Sequence, residues 1–283
     1  NSFEDTMLIS YTLDAGVNRH NMDTLSEIHL GHKTISFKEL VGTGKNKLNF
    51  SDIKLDKATE YAAEDADVTL RLYENLKERL DEEKLNKIYE YFEKPMVKLL
   101  SKLEYNGIKV DANHLKKLSK QFEKKIKKIE KDIYALAGKE FNIGSPKQLG
   151  EIIYNELKIA KLKKTKKGSL ATNANVLEDL ASTGHKFPNL ILEWRQVSKL
   201  KNTYTDALQE HISTKTKRVH TSFLLAATNT GRLASSDPNL QNIPIKSEDG
   251  REIRKAFVAD KGNTLISADY NQIEMRILAD IAD

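Results

Sequence analysis

The stretch Leu265-Ile266-Ser267-Ala268-Asp269-Tyr270-Asn271-Gln272-Ile273-Glu274-Met275-Arg276 changes periodicity in its middle. Residues 264–268 are small, β-branched or apolar and end at Asp269, the pattern of a buried strand. From Ile273, apolar residues recur at Ile277, Leu278 and Ile281, which is helical spacing. Asp269 therefore falls between an expected strand and an expected helix. A carboxylate there suits a hard cation such as Mg²⁺, which takes one or two carboxylates and completes its shell with water and substrate phosphates. The same residue also suits the cap of the coming helix.

A second phrase precedes it, T-G-R-L-A-S-S-D-P-N-L-Q-N-I-P at 230–244. Gly231, Asp237, Pro238 and Asn239 break regular structure. Arg232, Asn239, Gln241 and Asn242 place a guanidinium and several amides in one irregular loop, donors that suit the acceptors of a DNA minor groove. The plainer alternative is a polar surface loop with asparagines at turn positions.

D-Y-N-Q-I-E-M-R at 269–276 resembles motif A of the family A DNA polymerases, and 230–244 resembles the segment before it in that family. The resemblance extends through almost the whole chain and is nearest to the Klenow-type part of the bacterial members. It implies an α+β, multidomain fold. Residues 1–87 would be the C-terminal part of an α/β 3′-5′ exonuclease-like domain. Residues 88–215 would be a helical thumb with a linking helix at 88–106, and 216–283 the N-terminal part of an α+β palm.

Composition is compatible with this. The 283 residues are 39% hydrophobic and 31% charged, enough for cores in a water-soluble chain. There is no cysteine, which excludes disulfides and thiolate metal sites. No apolar run is long enough for a bilayer and no signal peptide opens the chain. The net charge of +5 is compatible with a polyanionic partner. The sequence opens on Asn1 and stops while a helical pattern is running, so a fragment of a longer protein is expected.

In the first segment a long helix is expected over about 57–85, and it contains Y-A-A-E-D-A-D. Tyr61 and Asp65 are four apart and share one helix face. A carboxylate beside a phenol suits metal-assisted hydrolysis, although Tyr-x-x-x-Asp alone is equally a structural pattern. The flanking residues resemble the third exonuclease motif of the family, which makes Asp65 a metal ligand by implication. The first two exonuclease motifs have no counterpart here, so proofreading by these residues alone is not expected.

The middle segment reads as helices. Gly107 ends one helix, Asp111 caps the next and Gly138 closes it. Leu115, Leu118, Phe122, Ile126, Ile129, Ile133 and Leu136 form an apolar stripe, and eight lysines from Lys116 to Lys131 cover the remaining surface. Pro146 opens another helix. Lys161–Gly168 reads as a mobile tip or a DNA-clamp loop, and a helix over about 188–211 carries Lys199, Lys201, Thr203 and Tyr204. A strand is expected over 218–227.

The resemblance also implies roles. Asp269 would bind both Mg²⁺ ions of a two-metal site, and Glu274 would fill the space of a ribose 2′-hydroxyl. Gln272 and Arg276 would support them. Arg232 would read the minor groove at the primer terminus, with Asn239, Gln241 and Asn242 nearby, and Lys199–Tyr204 would lie along the DNA backbone. The expected partners are primer-template DNA and dNTPs, with no membrane. The expected state is a monomer in the bacterial cytoplasm, associated with the nucleoid. The fingers helix and the second metal carboxylate have no counterpart in 1–283, so these residues alone are expected to bind DNA without polymerising. Two alternatives are a stand-alone DEDD-type exonuclease and a non-catalytic DNA-binding module.

Overall fold

The computed structural model describes residues 3–44, 47–159 and 170–282. The lysine-rich stretch 161–168 and Asn46 lie outside the described residues. The described residues are mostly helical with two small antiparallel sheets, and the chain forms two compact units. One comprises Asn1–Gly107 with His220–Asn242, the other Ile108–Val219 with Ile243–Asp283. Each is discontinuous in sequence, so the linking helix and the loop of Arg232 fold with the exonuclease-like segment.

In the first unit the helix Thr6–Asp14 starts at Asp5, whose side chain accepts the Leu8 N–H at 3.1 Å. The helix Leu55–Glu82 buries Val68, Leu72, Leu76 and Leu80. Their spacing of four residues makes one stripe, and Leu8, Ile9, Leu25 and Tyr89 pack on it. The Tyr89 hydroxyl donates to Glu4 Oε2 at 2.9 Å and accepts the Asp5 N–H at 3.0 Å. Arg79 grips both carboxylate oxygens of Asp14, at 2.9 and 3.3 Å.

Helical backbone then runs from Asn86 to Asn106 and stops at Gly107, whose φ of +62° suits a residue without Cβ. At its end the Glu104 carbonyl accepts from His220 Nδ1 at 2.7 Å, and its carboxylate accepts the Phe223 N–H. These bonds seat the strand Ser222–Leu224, which pairs with Ala234–Ser236. The strand expected over 218–227 is thus two short ones. Arg218–Val219 pairs with Ile108–Lys109 in the second unit. The break falls at His220 and Thr221, whose side chains bond outside the ladder.

In the second unit Asp111 caps the helix Ala112–Ala137 by accepting from the Asn113 and His114 N–H groups, and Gly138 closes it at φ +71°. Leu115, Leu118, Phe122, Ile129 and Ile133 are buried, whereas Leu136 at the end of the stripe is exposed. The helix Lys186–Lys199 packs beside it, and Trp194 Nε1 donates to Glu130 Oε1 at 3.0 Å. Helical backbone continues through Leu200–Asp206 in a wider turn and Ala207–Glu210.

The strand expected before Asp269 does not form. Residues 263–270 carry no ladder, and Ile266 is 91% exposed. A strand needs a neighbour to take its N–H and C=O groups, and the described residues supply none here. The helix that follows is present as Ile273–Ala282.

Candidate nucleic-acid interface and metal carboxylates

The loop of the first unit begins with a turn at Thr228–Gly231, with Gly231 at φ +75°. The Thr228 hydroxyl donates to the Arg232 carbonyl at 2.7 Å. Further on, Thr221 Oγ1 lies within bonding distance of the Ser236 carbonyl (3.0 Å), the Pro238 carbonyl (2.9 Å) and Ser235 Oγ (2.6 Å). Ser235 Oγ also accepts the Leu240 N–H at 3.1 Å. Thr221 and Ser235 are both buried, so the loop is held from beneath by hydroxyls.

Above this floor Arg232, Asn239, Gln241 and Asn242 are all exposed. The Gln241 side-chain amide donates to the Leu233 carbonyl at 2.8 Å, and Asn239 Oδ1 accepts the Gln241 N–H at 3.0 Å. One donor of Gln241 and the acceptor of Asn239 thus brace the loop. What they present outward is the rest of each amide.

Tyr61 and Asp65 lie four residues apart on the helix Leu55–Glu82 and influence each other's ionisation. Burial pushes the Asp65 carboxyl up, the Tyr61 hydrogen bond opposes this, and the charges of Glu64 and Asp23 add to it. Burial and then the Asp65 charge push the Tyr61 phenol up. Asp65 Oδ1 is buried with no hydrogen-bond partner among the described residues. Next to it, Glu64 accepts from His32 Nε2 and the Ile35 N–H, both at 2.7 Å. The Phe37 and Phe50 rings stack at 6.2 Å, each about as far from the Tyr61 ring, and both are partly exposed.

In the second unit Lys199 and Thr203 are exposed, as a surface contact requires. Two neighbours are placed differently. Tyr204 is 4% exposed and belongs to the core. It stands four residues after Leu200 and four before Leu208, so it faces inward with them. Lys201 donates to Asp206 Oδ2 at 2.6 Å, and Ser119 donates to Asp206 Oδ1 at 2.6 Å. Burial works against the Asp206 charge, but Lys201, Ser119 and Thr205 together hold its carboxyl below the usual range. The Lys201 ammonium, on a side chain 21% exposed, is thus paired with Asp206 in this structure.

Asp269 is exposed, and Gln272 stands at φ +57° immediately before the helix Ile273–Ala282. Glu274 and Arg276 sit on its first turn, where Arg276 N–H donates to the Gln272 carbonyl at 3.1 Å and Arg276 Nε to the Asn271 carbonyl at 3.3 Å. The side chain of Arg276 thereby caps the segment that carries Asp269.

Among the described residues no three His, Cys, Asp or Glu side chains form a metal cluster. Two single sites nonetheless fit Mg²⁺ chemically. The orphaned Oδ1 of Asp65 has no hydrogen-bond partner among the described residues, and the exposed carboxylate of Asp269 is a hard oxygen donor open to solvent. Sequence reading missed Tyr11, Thr221, Ser235 and Asp206, which hold these elements. No local pattern marks Tyr11 or Thr221, since their partners are distant in sequence.

The exposed Arg232 on its loop and the lysine-bearing helix Ala112–Ala137 give the chain basic surface of the kind that suits a polyanion. The model of DNA polymerase family A matches residues 112–283, and the chain belongs to that family. The model of the 3′-5′ exonuclease matches residues 1–81. DNA polymerase I of Rhizobium leguminosarum is 53% identical over 282 residues, 100% of this chain and 28% of that protein. DNA polymerase I of Pseudomonas aeruginosa is 49% identical over 279 residues, 98% of this chain and 31% of that protein. The chain thus spans less than a third of these relatives. A solved structure, the POL domain of Pol1 from M. smegmatis in complex with DNA primer-template and dNTP, superposes with a TM-score of 0.78 at 34% identity. The match covers 97% of this chain and 45% of that one.

Proposed function

We propose that this chain is part of a bacterial DNA polymerase of the DNA polymerase I type, which copies a template strand in replication and repair. The observation that carries the proposal is the family match over 112–283, which contains the exposed Asp269 and Glu274 at a helix start. In this reading 1–87 closes a 3′-5′ exonuclease domain, 88–215 is the thumb and 216–283 opens the palm.

Each exposed residue then has a task. Asp269 holds Mg²⁺ beside the primer end, together with groups outside 1–283. When bound, Mg²⁺ would neutralise triphosphate charge and lower the cost of ionising the 3′-hydroxyl. Glu274 crowds the ribose position and so selects dNTPs, while Gln272 and Arg276 hold the segment. Arg232 donates to minor-groove acceptors, which vary little with sequence and so report base-pair shape. Asn239, Gln241 and Asn242 extend that contact. Lys199 and Thr203 line the backbone of the product duplex. Asp65 holds a metal and Tyr61 orients water in the exonuclease half.

The protein acts as a monomer in the cytoplasm with the nucleoid. The 283 residues alone bind duplex DNA without extending a primer, because the family's fingers helix and second metal carboxylate have no counterpart in 1–283. Filter binding of this chain to a primer-template duplex against salt tests the reading. The slope of log affinity against log salt should be negative, by roughly 0.9 per phosphate neutralised. A flat response would exclude it.

A further inference from the structure

Tyr11 lies on the helix Thr6–Asp14, inside the exonuclease match at 1–81, whereas Thr228–Arg232 lies inside the polymerase match at 112–283. Both belong to the first compact unit. The Tyr11 hydroxyl donates to the Thr228 carbonyl at 2.7 Å and accepts the Gly231 N–H at 3.1 Å. These are the first and fourth residues of the turn, whose carbonyl and N–H a four-residue turn ordinarily pairs with each other. The phenol thus bridges the mouth of the turn immediately before Arg232.

Four further contacts fix this arrangement. The Thr228 hydroxyl holds the Arg232 carbonyl at 2.7 Å. The His20 ring meets the Tyr11 ring edge-on at 5.4 Å, and His20 Nδ1 bonds Ser10 Oγ at 2.9 Å, so the phenol cannot swing freely. Gly16 stands so close to the turn that a Cβ there would come within 2.8 Å of the Asn229 side chain. Helix and turn therefore meet at two places, Tyr11 under the turn ends and Gly16 against Asn229. Arg232 itself is exposed, and the place of its backbone is set by this turn.

We propose that Tyr11 is a positioning residue for Arg232, through which the exonuclease-like segment sets the polymerase's minor-groove contact. The inference rests on the reading of Arg232 as that contact. The residue touches no DNA; its hydroxyl acts through the turn. This gives the first helix a use in synthesis that is independent of any nuclease chemistry.

A double-mutant cycle in the full-length polymerase that carries this chain tests it, reading primer-template affinity and the ratio of extension from matched and mismatched termini. Tyr11→Phe keeps the ring and removes the hydroxyl. It should weaken binding by about threefold to tenfold and lower the matched-to-mismatched ratio. In the Arg232→Ala background the same change should have no further effect, which a general loss of folding would not produce. Thr228→Val, which frees the Arg232 carbonyl from the other side, should behave alike and stands in should Tyr11→Phe lower the melting temperature. If Arg232→Ala weakens binding but Tyr11→Phe and Thr228→Val are silent or strictly additive with it, the inference is overturned and the minor-groove reading stands. If Arg232→Ala itself changes neither affinity nor the ratio, the minor-groove reading fails and takes the inference with it.

Discussion

Thr221 Oγ1 and Ser235 Oγ lie 2.6 Å apart, buried beneath the loop that carries Arg232, Asn239 and Gln241. The pair also collects the carbonyl of Pro238 and the N–H of Leu240. Thr221→Val keeps the shape but strips the hydroxyl, which removes one buried donor and the partner of Ser235 Oγ, leaving Ser235 Oγ alone within reach of the Pro238 carbonyl. It should cost about 1–3 kcal/mol, read as a lower midpoint in urea at unchanged slope. Unchanged stability would mean that solvent already serves that carbonyl.

The stripe on the helix Leu55–Glu82 makes a sharper contrast. Leu72 is fully buried and Leu70, two residues away on the other face, is 58% exposed. Leu72→Ala should destabilise by about 2–5 kcal/mol. Leu70→Ala should stay within about 0.5 kcal/mol. Similar losses at both positions would contradict the assigned face.

Glu64 gives a pH dependence with a defined sign. The Ile35 N–H holds its carboxyl below the usual value of 4.5 against the penalty of burial, and the His32 ring adds to the lowering. A carboxyl that is lowered on folding stabilises fully above its unfolded value and loses that contribution as pH falls through the folded value. Between about pH 5 and pH 3 the unfolding free energy should therefore fall more steeply for the native sequence than for Glu64→Gln. Parallel curves would remove Glu64 from the account.

Glu274 stands on the first turn of Ile273–Ala282 in an exposed segment. In the full-length polymerase, Glu274→Ala should ease ribonucleotide incorporation relative to dNTP by roughly tenfold or more, the scale on which a pocket rejects an added group. Unchanged discrimination would deprive Glu274 of its proposed role.

Much of the helical frame was legible because its signals are local. Asp111 and Gly138 bound the helix Ala112–Ala137, and the step of three or four from Leu115 to Ile133 names its inner face. The expected strand before Asp269 failed for the opposite reason, since β-branched composition supplies a propensity but not a partner strand. The burial of Tyr204 was available in the spacing Leu200, Tyr204, Leu208, and the polar neighbours Lys199, Lys201 and Thr203 masked it. Tyr11 and Thr228 are 217 residues apart, and no period in the sequence joins them. The wider helical turns at Ser26–Leu30 and Leu200–Asp206 likewise have no local residue signature.

The central claim is that Asp269 carries the metal for synthesis, and single-turnover primer extension in Mg²⁺ by the full-length polymerase tests it most directly. With Asp269→Ala, extension should fall by at least about a hundredfold while binding of the primer-template duplex stays within a few fold, since the lost group stabilises charge in the reaction. Extension at the native rate by Asp269→Ala would contradict the account.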